Sequence, residues 1–168
     1  MASVHDHVME DRNVHAELNW QWYRFDQLTL CELQYIYMAR QLVFALEQRC
    51  AYLDADGFDA DSLHLAAWSA AQRVPMAYAR LVAPGVKYAE PSIGRVITTE
   101  AARGRGLGRE LVRRVVAQCR LVYPAMGIRI SAQSRLEKFY GEAGFIVCGP
   151  PYLEDGIDHT EMLLPSRA

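Results

Sequence analysis

Residues Ile93–Val122, IGRVITTEAARGRGLGRELVRRVVAQCRLV, predict a strand, a glycine-rich loop and a helix in that order. The run Ile93–Thr98 is rich in β-branched residues, which is typical of a buried strand. Apolar residues then recur at steps of three and four, a spacing that indicates an amphipathic helix. They are Leu107, Leu111, Val112, Val115, Val116 and Cys119. This strand–loop–helix unit lies at the centre of the predicted fold.

The loop between the strand and the helix, Arg103–Arg109, has the composition of a phosphate-binding site. Its glycines let the backbone approach a ligand closely. The unpaired N–H groups of the first helical turn point at such a ligand with the positive end of the helix dipole. The arginines of the loop add charge that suits several phosphates. The alternative is a flexible basic loop that only begins a helix, but the combination with a strand and an amphipathic helix favours phosphate.

The spacing of the loop excludes two common phosphate motifs. A P-loop needs a lysine followed by serine or threonine after its last glycine, where this chain has Arg109. The dinucleotide motif G-x-G-x-x-G fits Gly104 and Gly106, but Arg109 stands at its third glycine. The pattern that does fit is R-x-x-G-x-G, formed by Arg103, Gly106 and Gly108.

Composition indicates one globular domain of 168 residues, with 51% hydrophobic and 23% charged residues. We expect a flexible tail over residues 1–16 and a single domain over residues 17–168. The formal charge of −2 gives no general attraction to nucleic acid or to an anionic membrane. Four cysteines without a C-x-x-C pair predict neither a zinc site nor a redox dithiol, and a cytoplasmic location is expected.

The remaining patterns predict the order β-α-β-β-β-α-β-α-β-β, an α/β fold with a mixed sheet of about six to seven strands flanked by helices. Thr29 and Glu32 have the spacing of a capping box at the start of the first helix. The segment after that helix carries four aspartates within eight residues, at positions that do not fit a calcium-binding loop. Two interpretations stay open: a solvated loop, or an acidic loop that attracts an amine to a cleft.

The R-x-x-G-x-G loop after a central strand resembles the acetyl-CoA loop of the GNAT superfamily of N-acetyltransferases. The segment Leu136–Phe145, LEKFYGEAGF, is similar to a second signature of that family. The match is closest to the ElaA-like branch and extends over residues Trp20–Leu164, including EQRCAYLDADGFD, HLAAW, AYARL and EDGIDHTEM. The resemblance implies an acetyl-CoA-dependent enzyme that moves an acetyl group to a primary amine of a small molecule or peptide, directly in a ternary complex. The alternative is an acyl-CoA-binding sensor that has lost transfer.

The resemblance also implies roles for residues on the cofactor side. Backbone groups of Val96 and Ile97 would bind the pantetheine arm, and the loop backbone would hold the pyrophosphate. Tyr140 would protonate the departing CoA thiolate, which leaves more easily when an acid supplies a proton. The implied cofactor-binding residues are Val96, Ile97, Arg103, Gly104, Arg105, Gly106, Leu107, Gly108, Arg109, Gln133 and Phe139.

The resemblance indicates the residues that would bind the acceptor amine less clearly. Glu47, at the end of the first helix, is the candidate general base, although a solvated glutamate at a helix end is the simpler interpretation. His64 and His159 are further candidates, because histidine suits proton transfer but more often has a structural role. Asp158 and His159 belong to a polar cluster, EDGIDH, that would line the acceptor pocket or form only a turn. No metal, nucleic acid or membrane partner is expected, and a homodimer remains one candidate for the oligomeric state.

Overall fold

The computed structural model describes residues 18–166, and the predicted tail over residues 1–16 lies outside them. The strands are β1 Asn19–Arg24, β2 Ser62–Trp68, β3 Ala77–Val82, β4 Ser92–Thr98, β5 Ile128–Gln133, β6 Ile146–Val147, β7 Tyr152–Glu154 and β8 Ile157–Leu164. The helices are α1 Leu30–Gln41, which continues as a π-helix over Leu42–Glu47, α2 Leu107–Val122 and α3 Glu137–Glu142. Single 3₁₀ turns cover Phe25–Gln27, Glu100–Ala102 and Ser134–Leu136.

The strands form one mixed sheet in the order β1-β2-β3-β4-β5-β8-β6, with β7 paired to β8. The pairing is parallel between β4 and β5 and antiparallel elsewhere. The α/β fold class is therefore confirmed, with eight strands rather than six to seven. The strand that the sequence prediction missed is β7. It forms a hairpin with β8 through Asp155 and Gly156, which have φ angles of +50° and +80°, as a tight hairpin turn requires.

Helices cover both faces of the sheet. On one face α2 buries the predicted stripe, and Leu111, Val115 and Cys119 pack with residues of the central strands such as Ala79 and Ile130. On the other face α1 places Ile36 and Ala39 against β2 and β3. Burying one such aliphatic side chain contributes about 1.5–3 kcal/mol. The sheet is consequently enclosed on both sides, except where its middle strands separate.

The capping box at the start of α1 is present as predicted. The Glu32 N–H donates to Thr29 Oγ1 at 3.2 Å, and the Thr29 N–H donates to Glu32 Oε2 at 2.9 Å. Two of the N–H groups that a helix start leaves unpaired are thereby satisfied. Of the helices between residues 18 and 166, none is long and apolar enough to cross a lipid bilayer.

Candidate active site

The sheet opens between β4 and β5. These strands are paired at Ser92 and Arg129, where the Arg129 N–H also donates to the Pro91 carbonyl at 3.0 Å. Towards their carboxyl ends the strands diverge. A bulge in β4 contributes to the divergence, because Arg95 and Val96 together face the single residue Ala79 on β3, and a bulge bends its strand. Arg95 accordingly has a φ of +52°.

Two cavities adjoin at this opening. The glycine-loop cavity, of about 750 Å³, lies beside the start of α2 and is lined by residues that include Glu47, Arg103, Gly108 and Phe139. The hairpin cavity, of about 430 Å³, lies beside the β7–β8 hairpin. Six residues line both cavities: Gln48, Val96, Gln133, Leu136, Tyr140 and Ile157. Ligands in the two cavities would therefore have these six residues as common contacts.

The glycine loop has the backbone shape that a phosphate site requires. Gly104 and Gly106 have φ angles of +76° and +73°, which side chains with a Cβ rarely adopt. Gly106 is the residue that precedes α2. In the described chain, the N–H groups of Leu107 and Gly108 donate to no backbone acceptor, so they are available to an anion at the positive end of the helix. This arrangement fits the predicted pyrophosphate site.

The arginines of the loop are partly engaged with protein groups. Arg103 forms an ion pair with Glu47 and donates to the Thr98 carbonyl at 3.0 Å. Arg109 pairs with Glu142 of α3 at 2.9 Å. Both ion pairs are at the surface, where such pairs contribute little to stability and rearrange readily. Their guanidinium groups therefore remain suited to a phosphate ligand.

Tyr140 lies at the junction of the two cavities. Its side chain is 7% exposed, and its ring makes edge contacts with the rings of Phe139 and Phe145. Burial raises the pKa of the Tyr140 hydroxyl well above its usual value. That hydroxyl forms no hydrogen bond with any residue in the described range, so its proton is free for a ligand. The geometry is compatible with the predicted role as an acid.

The structure places Glu47 at the glycine-loop cavity. Its carboxylate is paired with Arg103 and lines the glycine-loop cavity. It is not among the residues that line the hairpin cavity. The position therefore gives no support to Glu47 as the base for an acceptor bound in the hairpin cavity.

His64 is buried in the core, which corrects its assignment to the acceptor pocket. Its side chain is 1% exposed, with Nδ1 at 2.7 Å from the Tyr78 hydroxyl and Nε2 at 3.0 Å from the Asp59 carbonyl. Burial lowers the pKa of this imidazole. Both nitrogens are engaged and neither cavity reaches the ring, so His64 has a structural role. Asp158 is exposed and lines neither cavity, whereas His159 lines the hairpin cavity.

The acidic loop matches neither of its two interpretations, because most of its aspartates are paired with arginines inside the protein. Arg40 is fully buried and donates from Nη1 to both oxygens of Asp59, at 2.9 and 3.0 Å. Its Nε donates to Asp54 at 2.7 Å. The remaining aspartate, Asp61, is exposed. The sequence signal for this network is Arg40, which lies on the apolar face of α1 and therefore needs a buried counter-ion.

The same network extends to the wall of the hairpin cavity. Arg80 donates to the two oxygens of Asp56 at 2.6 and 2.7 Å, and Arg95 donates to Asp56 at 3.0 Å. Burial by itself raises the pKa of Asp56, but the hydrogen bonds and charges of the two arginines outweigh it and lower the pKa to about 2. The network thus ties the loop after α1 to β3 and to the bulge in β4.

A polar cluster lies beside the opening, and its members Ser131, Glu154 and His159 line the hairpin cavity. The Ser131 hydroxyl is 2.5 Å from the Tyr152 hydroxyl and donates to Glu154 at 2.9 Å. The His159 ring lies beside that of Tyr152, with the two ring centroids 6.1 Å apart. The EDGIDH pattern indicates His159 and includes Glu154, whereas no sequence pattern indicates Tyr152, because β7 is too short to be predicted.

Gln133 connects the elements around the opening. Its amide nitrogen donates to Gln48 at 2.9 Å, and its amide oxygen accepts a hydrogen bond from Arg135 at 2.9 Å. Since Gln48 follows the π-helix, this contact holds the end of α1 against β5. Among residues 18–166, no group of His, Cys, Asp and Glu side chains is arranged to hold a metal ion.

Comparison with known proteins gives a consistent assignment. A family model described as an acetyltransferase (GNAT) domain matches residues 59–165. A UPF0039 protein of Synechocystis sp. is 44% identical over 147 residues, which cover 88% of this chain and 95% of that protein. Protein ElaA of Escherichia coli is 35% identical over 147 residues, which cover 86% and 95%.

A solved structure agrees with these sequence matches. An acyl-CoA N-acyltransferase from Pseudomonas aeruginosa has a TM-score of 0.82 at 37% identity, and the match covers 87% of this chain and 98% of that one. The opening between β4 and β5, the glycine loop and the position of Tyr140 lie within the matched region. The chain therefore belongs to the GNAT acetyltransferase family, in its ElaA-like branch, and is an acyltransferase.

Proposed function

We propose that this acyltransferase moves an acetyl group from acetyl-CoA to a primary amine of a small molecule or peptide, directly and within a ternary complex. The observation that carries the proposal is the meeting of two cavities at Tyr140, where β4 and β5 diverge. One cavity ends at a phosphate-type loop and the other does not. Two separate substrates can thus approach one point from different sides.

The glycine-loop cavity has the features needed for the CoA arm. Within residues 18–166, the edge of β4 beyond Ser92 has no partner strand on the β5 side, so backbone groups of Val96 and Ile97 can pair with the amides of pantetheine. The N–H groups of the loop then receive the pyrophosphate, with Arg103 and Arg109 adding charge-assisted hydrogen bonds. Phe139 and Gln133 line the path between these two positions.

The chemical step requires a neutral amine and a good leaving group. The amine nitrogen attacks the thioester carbonyl carbon, a C–N bond forms, the C–S bond breaks, and the thiolate needs a proton. Because burial raises the pKa of Tyr140, its hydroxyl stays protonated at neutral pH and supplies that proton. Direct transfer needs no covalent enzyme intermediate, and both cavities border the same tyrosine.

The hairpin cavity supports a small acceptor group. Its volume of about 430 Å³ is at the lower end of the range for small-molecule sites, about 300–1,000 Å³. Glu154 and Asp155 on its wall offer carboxylates to an ammonium ion, whereas Arg80 and Arg95 in the same lining are paired with Asp56. A peptide would enter with its terminal or side-chain amine first.

We also propose a reducing, cytoplasmic environment for the enzyme. The support is the state of its four cysteines, all of which are free. Cys31 and Cys148 are exposed, and exposed thiols persist in a reducing compartment.

The experiment that tests this function follows free CoA while acetyl-CoA is mixed with a panel of primary amines and of short peptides with free N-termini. We expect release of CoA that depends on the amine, with the acetylated amine identified by mass spectrometry. The same mixture without enzyme provides the control for non-enzymatic transfer. Tight binding of acetyl-CoA without release of CoA for any amine would contradict the enzyme and favour an acyl-CoA sensor.

A further inference from the structure

We propose that His159 is the general base that takes the proton from the acceptor amine, an inference that rests on the function proposed above. His159 is in β8 and lines the hairpin cavity. Its partner across the β5–β8 ladder is Gln133, and the nearby Ile157 is two residues before it. Gln133 and Ile157 both line the two cavities. Directly opposed residues in a ladder have Cβ atoms about 5 Å apart, so the imidazole lies beside the junction.

The hydrogen bonding of the ring leaves one nitrogen for the substrate. Nδ1 is 2.9 Å from the carbonyl oxygen of Ile157, and a carbonyl oxygen can only accept. Nδ1 therefore carries the hydrogen, and in the neutral ring Nε2 carries the lone pair. Nε2 has no hydrogen-bond partner among the described residues. The backbone thus selects the tautomer that can accept a proton from the cavity.

A carboxylate and an aromatic ring lie beside the imidazole. The nearest Glu154 oxygen is 4.0 Å from Nδ1, and the Tyr152 ring packs beside the imidazole. Glu154 is itself held by the Ser131 hydroxyl. Its negative charge attracts the incoming ammonium ion to this wall. Asp155, in the turn of the hairpin, adds a second negative charge.

The proton balance of the reaction closes with two groups. Nε2 of His159 takes one proton from R–NH₃⁺, and the resulting R–NH₂ attacks the thioester carbon. As the C–S bond breaks, the Tyr140 hydroxyl gives its proton to the sulfur, and the tyrosinate recovers a proton from the nitrogen that becomes the amide. The imidazolium releases its proton to solvent through the open cavity. The net products are the acetylated amine, CoA–SH and one H⁺.

The kinetic test uses the primary amine that gives the fastest CoA release with the wild-type enzyme. We expect His159→Gln to lower kcat by roughly 10²–10⁴-fold, the usual contribution of a general base, with unchanged affinity for acetyl-CoA by calorimetry. The control is Leu153→Gln, a substitution at an exposed position of the same hairpin that lines neither cavity. That control should turn over at the wild-type rate. A wild-type rate in His159→Gln would overturn the assignment.

A rescue experiment separates a base from a structural residue. His159→Ala leaves space for a small base, so added imidazole should restore CoA release in that variant and not in Tyr140→Phe. Equal stimulation of both variants would overturn the inference. If the wild-type enzyme itself releases no CoA with any amine, the proposed function fails first, and the base assignment fails with it.

A third measurement is independent of turnover and of variant stability. Long-range ¹⁵N–¹H spectra of the wild-type enzyme with bound acetyl-CoA report the tautomer of each histidine, and the His159 signals are those missing from His159→Gln. We expect hydrogen on Nδ1 and a lone pair on Nε2. Hydrogen on Nε2 of the neutral ring would overturn the proposal, whatever the kinetics show.

Discussion

Ser92 and Arg129 are paired across β4 and β5, and the described chain shows no further paired position between these two strands. The separation of the two strands beyond this pair exposes backbone groups of β4. It also places Val96, Gln133 and Tyr140 where the two cavities meet. An enclosed sheet without this opening would offer only surface grooves. The active site is therefore a consequence of how two strands cease to pair, and four predictions test its components.

Gly106→Val should remove binding of acetyl-CoA while the fold survives. An added Cβ would meet no protein atom within 4 Å, so the cost comes from the φ of +73°, about 1–2 kcal/mol for a residue with a side chain, and from crowding of the ligand. Gly85→Val is the matched control, because Gly85 has a φ of +81° and equally open surroundings but lies in another loop. Calorimetry should show binding only in the control, and binding retained by Gly106→Val would refute the loop assignment.

Tyr140→Phe should lower kcat by about 10²-fold or more while acetyl-CoA affinity stays unchanged. The free energy of unfolding should also change little, because the hydroxyl has no hydrogen-bond partner among residues 18–166. Tyr35→Phe, on α1 and outside both cavities, is the control for loss of a tyrosine hydroxyl. Stopped-flow measurement of CoA release distinguishes the variants, and an unchanged kcat would remove Tyr140 from the mechanism.

Asp59→Asn should destabilise the protein by up to about 3–5 kcal/mol, the typical cost of removing one partner of a buried ion pair, because Arg40 and Arg80 would keep only Asp54 and Asp56 as counter-ions. Asp59 is the counter-ion of both Arg40 and Arg80. The control is Asp61→Asn, because Asp61 is two residues away and exposed. The free energy of unfolding of this variant should be within about 0.5 kcal/mol of the wild-type value. Urea unfolding followed by circular dichroism measures both. Equal free energies of unfolding for Asp59→Asn and Asp61→Asn would mean that the ion pairs of Asp59 do not stabilise the protein.

Asp56 should make stability depend on pH in acid. Its pKa is lowered from 3.8 to about 2 in the folded protein. The ionised carboxylate therefore adds to the free energy of unfolding above pH 3.8, and this contribution is lost as the pH falls through about 2. The shift corresponds to about 2 kcal/mol. The difference in unfolding free energy between wild type and Asp56→Asn should therefore narrow from about pH 5 to about pH 2.5. A difference that is constant over this range would contradict the ion pair with Arg80.

Patterns among residues close in sequence were sufficient to predict the elements in the middle of the fold. The β-branched run of β4, the glycine loop and the apolar stripe of α2 each follow rules that involve neighbours in sequence, and the structure has all three. The capping box of Thr29 is likewise local. In contrast, β7 has only three residues, too few for a periodic pattern to be visible.

The acceptor side depended on contacts between distant residues, and so it could not be predicted in the same way. Arg40 and Asp59 are 19 positions apart, and Ser131 and Glu154 are 23 apart. The burial of His64 is fixed by its register in β2, which places it between Tyr78 and the loop carbonyl of Asp59. No rule of composition distinguishes this histidine from His159, since the two differ only in what the fold brings beside them.

The measurement that tests the central claim most directly is calorimetric titration of the purified protein with acetyl-CoA, beside ATP and NAD as controls. The account predicts selective, saturable binding of acetyl-CoA at one site per chain, which Gly106→Val abolishes. Equal binding of all three ligands, or no binding of acetyl-CoA, would contradict the assignment of the glycine loop and the opening between β4 and β5 as the acetyl-CoA site.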